Sequence, residues 1–145
     1  MSTVLDDVTS DDIDANHIRR RVEDWDDRLH ALYDTIGGWL PAGWTARAGA
    51  TVRMHEEMMR EFRVEPKQVP TLELVHQAGD VATLEPRALW VIGCNGRVDL
   101  KRNNSRFLIV DLADSFERAD WQASRADRRG EREPVTRDWL VGVLQ

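Results

Sequence analysis

The sequence contains a single cysteine, Cys94, so none of its 145 residues can form an internal disulfide. This favours a reducing compartment. No apolar run approaches the ~20 residues that a membrane-spanning helix needs. The first residues carry neither the basic nor the apolar region of a secretory signal. We therefore expect a cytoplasmic protein with no membrane segment.

The chain also lacks the basic excess of a protein that binds nucleic acid. Its net charge is −6, and residues 1–16 hold five aspartates and no basic residue. The one basic run, Arg19-Arg20-Arg21, is followed at once by acidic residues. This distribution disfavours a polyanionic partner. We interpret residues 1–12 as a flexible acidic segment and residues 13–145 as one α+β domain.

Apolar residues recur at alternating intervals of three and four between positions 18 and 39. The spacing predicts an amphipathic helix of about six turns, capped by Asp12 or Asp14 and ended by Gly37-Gly38. Charged residues, Arg28 among them, are assigned to its solvated face. The apolar stripe consists of Ile18, Val22, Trp25, Leu29, Leu32, Ile36 and Trp39.

We expect this stripe to pack on the protein's own sheet. Heptad spacing also fits a coiled coil, so a homodimer through the N-terminal helix is the alternative. A second helix is predicted near residues 51–63, with Thr51 as its cap. Two prolines then mark residues 65–70 as a linker.

After residue 70 the hydrophobic period changes to two, which predicts strands. The predicted strands span residues 71–77, 81–85, 88–94, 97–102 and 106–113. Two-residue turns are predicted at Asn95-Gly96 and Asn103-Asn104. They would place Leu100 opposite both Val91 and Phe107, and by the same register Val98 would lie opposite Ile109.

In that register one face of the sheet is apolar and takes the first helix. The other face is half apolar and needs a cover. A short C-terminal helix that starts at Thr136, together with Trp121 from a charged connection over 114–134, is the predicted cover. The fold class is thus α+β: a long N-terminal amphipathic helix and a short second helix packed on an antiparallel β-meander of about five strands, with a short C-terminal helix.

Two aspartates in neighbouring predicted strands, Asp99 and Asp111, form the most suggestive carboxylate pattern. With their flanking residues, 96–100 and 109–113, they resemble the acidic hairpin of PD-(D/E)XK nucleases, in which two carboxylates hold Mg²⁺. That resemblance would make Asp99 and Asp111 metal ligands of a divergent nuclease. Position 113 is alanine, however, where the motif has lysine, and the predicted register puts the two aspartates on opposite faces.

Other catalytic arrangements are weaker still. The four histidines are scattered without ligand spacing, so the sequence predicts no metal site and no cofactor. Cys94 follows a predicted strand with no histidine beside it. It is therefore interpreted as a small strand-end residue, with a catalytic nucleophile as the alternative.

Six tryptophans are many for this length. Tryptophan is enriched in cores and in protein interfaces. We therefore predict a non-catalytic protein–protein interaction module, an accessory, regulatory or immunity-type subunit of a bacterial cytoplasm. The predicted partner-binding residues are Trp39, Leu40, Trp44 and Trp121.

Overall fold

A computed structural model describes residues 14–145, so the predicted flexible segment 1–12 lies outside the described residues. The first helix, α1 (Ala15–Gly37), begins after Asp14, whose carboxylate accepts a hydrogen bond from the backbone N–H of His17 at 2.8 Å. This satisfies one of the backbone donors that every helix leaves open at its start. The predicted long helix is confirmed.

The remaining elements form a sheet, a small strand pair and two short helices. Their bounds are β1 Trp44–Ala48, β2 Val52–Met54, α2 Glu57–Glu61, β3 Lys67–Val69, β4 Leu72–His76, β5 Val81–Ala88, β6 Arg97–Arg102, β7 Ser105–Asp111, β8 Trp121–Arg125, β9 Glu133–Pro134 and α3 Arg137–Leu144. The main sheet has seven strands in the order β9-β8-β7-β6-β5-β4-β1, and each neighbouring pair is antiparallel. Strands β2 and β3 pair separately. The α+β class is therefore confirmed, with seven strands in the main sheet.

The hairpin of β6 and β7 has the predicted register. Leu100 lies opposite Phe107, and Val98 opposite Ile109. The turn between them is Asn103-Asn104, and Asn103 has φ +55°, a conformation that asparagine tolerates better than most residues. Alternation of the side chains then gives this hairpin one apolar face.

Both of the longer helices, α1 and α3, pack on that apolar face. Trp25 of α1 meets Trp121 with ring centroids 6.1 Å apart, and Trp121 is paired with Asp111, which shares a face with Phe107. Phe107 in turn meets Trp139 of α3 at 6.0 Å. The prediction that α3 and Trp121 cover the second face was wrong. An apolar helix gains more by joining the larger apolar face than by covering the polar side chains of β6.

Residues 88–94 are not a strand, and Asn95-Gly96 is not a two-residue hairpin turn. Strand β5 continues through Pro86 to Ala88, and Leu84 occupies the position opposite Leu100 that was predicted for Val91. A loop over 89–96 then connects β5 to β6. The carboxylate of Glu56 accepts hydrogen bonds from the backbone N–H groups of Leu89 and Trp90, which anchors the start of this loop to the residue before α2.

The predicted helix over 51–63 is reduced to α2, and the predicted linker 65–70 contains β3. Residues 52–54 pair with 67–69 as two short strands. The segment 114–134 was predicted as a connection but contains β8 and β9, and β1 adds an edge strand that the pattern did not indicate. Such short strands carry too few alternations to be seen in the sequence.

The apolar stripe of α1 is buried in the protein's own core. Ile18, Trp25, Leu29 and Ile36 are each at most 1% exposed. Since these are the side chains that a coiled coil would need, α1 has no free heptad seam for a second copy.

Candidate functional site

A groove of about 500 Å³ lies between α1 and the segment that joins β7 to β8. Its apolar walls come from both sides. They consist of Ala31, Leu32, Trp39, Phe116, Ala119, Trp121 and Val135. Phe116 is 43% exposed where it lines the groove.

Arg28 and Asp111 fix the groove at its base. Arg28 donates from Nη1 to Asp111 Oδ2 at 2.6 Å, from Nε to Asp24 at 2.6 Å, and from Nη2 to the backbone carbonyl of Glu117. The other oxygen of Asp111 accepts from the backbone N–H groups of Ala113 and Asp120 at 3.0 and 2.8 Å. One buried ion pair therefore holds α1, the end of β7 and the groove's second wall in a single arrangement.

Sequence reasoning placed Arg28 on the solvated face of α1, and that assignment was wrong, since its side chain is 8% exposed. The signal was available: position 28 lies three residues after Trp25 and four before Leu32, on the side of the helix that faces the core. A buried carboxylate on the core face of β7 needs such a partner. Phe116 carried no comparable signal, because it lies in an irregular segment.

Two of the four predicted partner-binding residues meet in this groove. Trp39 lies just after α1 and Trp121 begins β8, and both line the cavity. Leu40 is half-buried and does not line it. Trp44 is 8% exposed and packs against His76 and the guanidinium of Arg102, so its side chain belongs to the core and is not presented to a partner.

The margin of the groove is acidic. Asp27 and Glu117 line it, and neither forms an ion pair within the part of the chain that the structure describes. Glu23, Asp27 and Asp34 fall within a narrow stripe of α1, because their spacings are close to whole numbers of helical turns. Arg118 is the opposing cation at the edge. The α1 side of the groove therefore has a negatively charged margin.

Asp99 lies on the opposite face of the sheet from Asp111. Its pairing partner is Leu108, whereas Asp111 alternates in register with Ile109 and Phe107. The side chain of Asp99 is buried and 0% exposed. Arg97 donates to both of its oxygens, at 2.9 and 3.2 Å, and this hydrogen bonding raises the pKa of Arg97. Two further arginines approach it within 4 Å, Arg87 and Arg106.

The two aspartates do not form a shared metal site. They lie on different faces, and each carboxylate is already paired with an arginine. Within residues 14–145 no group of three or more histidine, cysteine or acidic side chains has the geometry to hold a metal ion. The arrangement resembling an acidic nuclease hairpin is therefore two separate structural ion pairs.

Cys94 is half-buried in the 89–96 loop, and its Sγ donates to the carbonyl of Gly96 at 3.5 Å. Burial raises the pKa of its thiol, which outweighs the effects of Arg132 and Arg97. A nucleophilic cysteine needs the opposite shift. Burial therefore disfavours the thiolate form of Cys94.

The fold is an antiparallel sheet with both of its longer helices on one face and an apolar groove beside the first helix. Comparison with known protein families, curated proteins and solved structures finds no match to this chain. None of the helices within residues 14–145 combines the length and apolar character needed to cross a bilayer.

Proposed function

We propose that the protein is a non-catalytic interaction module, an accessory, regulatory or immunity-type subunit of a bacterial cytoplasm, which binds a protein partner through the groove beside α1. The observation that carries this proposal is that Trp39, Trp121 and Phe116 line one open groove whose base is fixed by a buried ion pair. Large aromatic side chains at a preorganised surface supply contact area at low entropic cost. The single cysteine supports a reducing compartment.

The groove fits a segment with one or two large apolar side chains. Its volume of about 500 Å³ holds a few side chains, and its length follows α1 from Asp24 to Thr35. Helix-in-groove recognition uses apolar anchors on one face of the bound segment. The acidic margin adds a preference for lysine or arginine next to those anchors. The partner is therefore a basic, amphipathic segment of another protein.

A display library of short random peptides tests the proposal for a partner of any sequence. The wild-type protein is expected to enrich sequences that combine an aromatic or leucine anchor with lysine or arginine. Ala31→Arg fills the groove from an exposed position of α1, so it should abolish binding of the enriched peptides. It should change stability by no more than about 0.5 kcal/mol, as surface substitutions do.

Thr45→Arg is the matched control. It adds the same side chain at an exposed position of β1, on the face of the sheet away from α1. Peptides that bind through the groove should bind this variant as they bind the wild type. If no family of peptides is enriched, or if Ala31→Arg and Thr45→Arg bind the enriched peptides equally, the groove is not the binding surface.

A further inference from the structure

A second pocket, of about 630 Å³, lies beside the 89–96 loop. It shares no lining residue with the groove beside α1. This open pocket is lined by residues of the N-terminal half of α1, the 89–96 loop, α2 and the segment that follows β7. The loop is held at its start by Glu56 and at its end by the hydrogen bond from the backbone N–H of Asn95 to the carbonyl of Asp111, at 2.7 Å. The loop that lines the pocket is therefore held in place by hydrogen bonds at both of its ends.

Arg21 is the charged group of this pocket. Its Nη2 donates to Asn95 Oδ1 at 2.9 Å, and its guanidinium lies over the Trp90 ring at 5.6 Å. Two turns along the same helix, Arg28 has two carboxylate partners, whereas Arg21 has no ion pair with any carboxylate in the described chain. A partly buried cation that forms no close ion pair attracts an anion.

Hydrogen-bond donors at the same place lack acceptors. Asn95 is 5% exposed, and neither its Nδ2 nor Arg21 Nε has a hydrogen-bond partner among the described residues. Burial of a donor without an acceptor is costly. Burial also lowers the pKa of Arg21, although the charges of Asp24 and Glu56 act in the opposite direction. The pocket thus has surplus hydrogen-bond donors, and a ligand that fits it must supply acceptors, as a carboxylate does.

The remaining walls are largely apolar, with Asp114 and Ser115 as polar residues in the segment that follows β7. Trp90, Val91, Ile92, Met58 and Leu112 line the pocket. Ile92 is fully exposed to solvent, and Leu112 is 36% exposed. Exposed aliphatic side chains beside an unpaired cation are suited to a ligand with an apolar body and an anionic head.

We propose that this pocket binds a carboxylate attached to an apolar group, with the carboxylate on Arg21 and Asn95 and the apolar group against Trp90, Ile92 and Leu112. The carboxylate replaces the amide oxygen of Asn95 as the acceptor for Arg21. The Asn95 side chain turns so that its Nδ2 donates to the ligand. The same chemistry is offered by a free amphiphilic acid and by the C-terminal carboxylate of a peptide that ends in a large apolar residue.

Titration calorimetry with octanoate, octanol and octylamine tests the role of the charge. Octanoate should bind, whereas octanol and octylamine should bind at least about tenfold more weakly, because they lack the charge-assisted hydrogen bonds. A peptide that ends in leucine is compared with its C-terminal amide. Preferential binding of the free-acid peptide over octanoate would identify the peptide terminus as the source of the carboxylate, and the reverse order would identify a free acid.

Two variants locate the binding site. Arg21→Met keeps the apolar stem and removes the charge, and Asn95→Asp supplies Arg21 with an internal carboxylate. Each should abolish octanoate binding. Asn95→Asp should also keep or raise the melting temperature, because it removes an unpaired donor and adds an ion pair. Arg47→Met, on the distant edge strand β1, is the control and should bind octanoate as the wild type does.

The proposal is overturned if octanol binds as tightly as octanoate, since the pocket is then merely apolar. It is also overturned if neither octanoate nor the free-acid peptide binds, or if Arg21→Met binds octanoate normally. Nuclear magnetic resonance provides a readout on the unaltered protein. The signals of Arg21 Nε–H and of the Asn95 side-chain amide should shift on addition of octanoate, and unchanged signals contradict the assignment.

Discussion

Arg28 in α1 and Asp111 at the end of β7 are 83 residues apart in the chain, yet their side chains meet at 2.6 Å in the interior. The carboxylate is 0% exposed and the guanidinium side chain 8%. Every side-chain nitrogen of Arg28 and both carboxylate oxygens of Asp111 have a hydrogen-bond partner. Under that condition a buried ion pair is tolerated. The pair joins the helix to the sheet and orders the wall of the groove.

Removal of one member of this pair should strongly destabilise the fold. We expect Arg28→Met to lower the free energy of unfolding by about 3–5 kcal/mol, because it leaves a buried carboxylate without its cation. Urea unfolding followed by tryptophan fluorescence measures the change. Arg47→Met removes an exposed ion pair with Glu73 and should cost no more than about 1 kcal/mol. Equal urea midpoints for the two variants would show that the buried Arg28–Asp111 pair contributes no more to stability than the exposed Arg47–Glu73 pair.

Gly96 is the tightest glycine position in contact with α1. Its φ is +106°, and a Cβ built on it would lie 2.3 Å from the Trp25 ring. Gly96→Ala should therefore destabilise the protein by about 2–4 kcal/mol through backbone strain and displacement of Trp25. Gly142 in α3 has no atoms near its would-be Cβ, so Gly142→Ala should stabilise by about 0.5–1 kcal/mol through higher helix propensity. Thermal unfolding should show a lower melting temperature for Gly96→Ala and a higher one for Gly142→Ala than for the wild type.

Tyr33, the single tyrosine of the chain, makes stability depend on alkaline pH. Burial, and secondarily the charge of Glu85, raises the pKa of its phenol, whose hydroxyl donates to the carbonyl of Pro70 at 3.0 Å. The unfolded chain therefore loses this proton at a lower pH than the folded chain. The free energy of unfolding is therefore unaffected by this group below the pKa of tyrosine in the unfolded chain, which is about 10. Above that pH it falls by about 1.4 kcal/mol per pH unit.

Tyr33→Phe separates this effect from other alkaline transitions. At neutral pH the variant should be less stable by about 0.5–1.5 kcal/mol, because it lacks the hydrogen bond to Pro70. Above about pH 10 the difference should shrink, since phenylalanine has no proton to lose. Ultraviolet titration of the folded protein reports Tyr33 alone. A phenol that titrates at the same pH in folded and urea-unfolded protein contradicts the prediction.

Cys94 should react slowly with thiol reagents at neutral pH. Since burial raises the pKa of its thiol, the thiolate fraction is smaller than in a free cysteine, and the thiolate is the reactive form. Iodoacetamide labelling followed by mass spectrometry measures the rate, with glutathione as the reference and urea-unfolded protein as the control. Labelling faster than glutathione at neutral pH would revive the catalytic alternative.

Local patterns predicted the elements whose causes are local. The spacing of apolar residues predicted α1, Thr136 was a correct start signal for α3, and alternation around Asn103-Asn104 predicted the register of β6 and β7. Alternation over residues 88–94 led to a wrong prediction of a strand. In the structure these residues belong mainly to a loop, in which Leu89 is buried in the core and Ile92 is exposed to solvent, so a loop can produce the same alternation as a strand. The pattern records which side chains are buried and leaves the backbone that buries them undetermined.

The candidate site was only partly visible in the sequence. The opposite faces of Asp99 and Asp111 follow from strand alternation, and that prediction is confirmed. That Trp39 and Trp121 meet in one groove, and that Trp44 does not, depends on contacts between distant segments.

By itself the sequence determined the first helix, the central hairpin and the α+β class, because helix and strand periodicity arise from neighbours within a few residues. Only the tertiary structure decided that α3 joins α1 on one face, that Arg28 is the partner of Asp111, and that Arg21 donates to Asn95. Those outcomes depend on long-range packing and on the need to pair buried charges, and neither is encoded in the spacing of nearby residues.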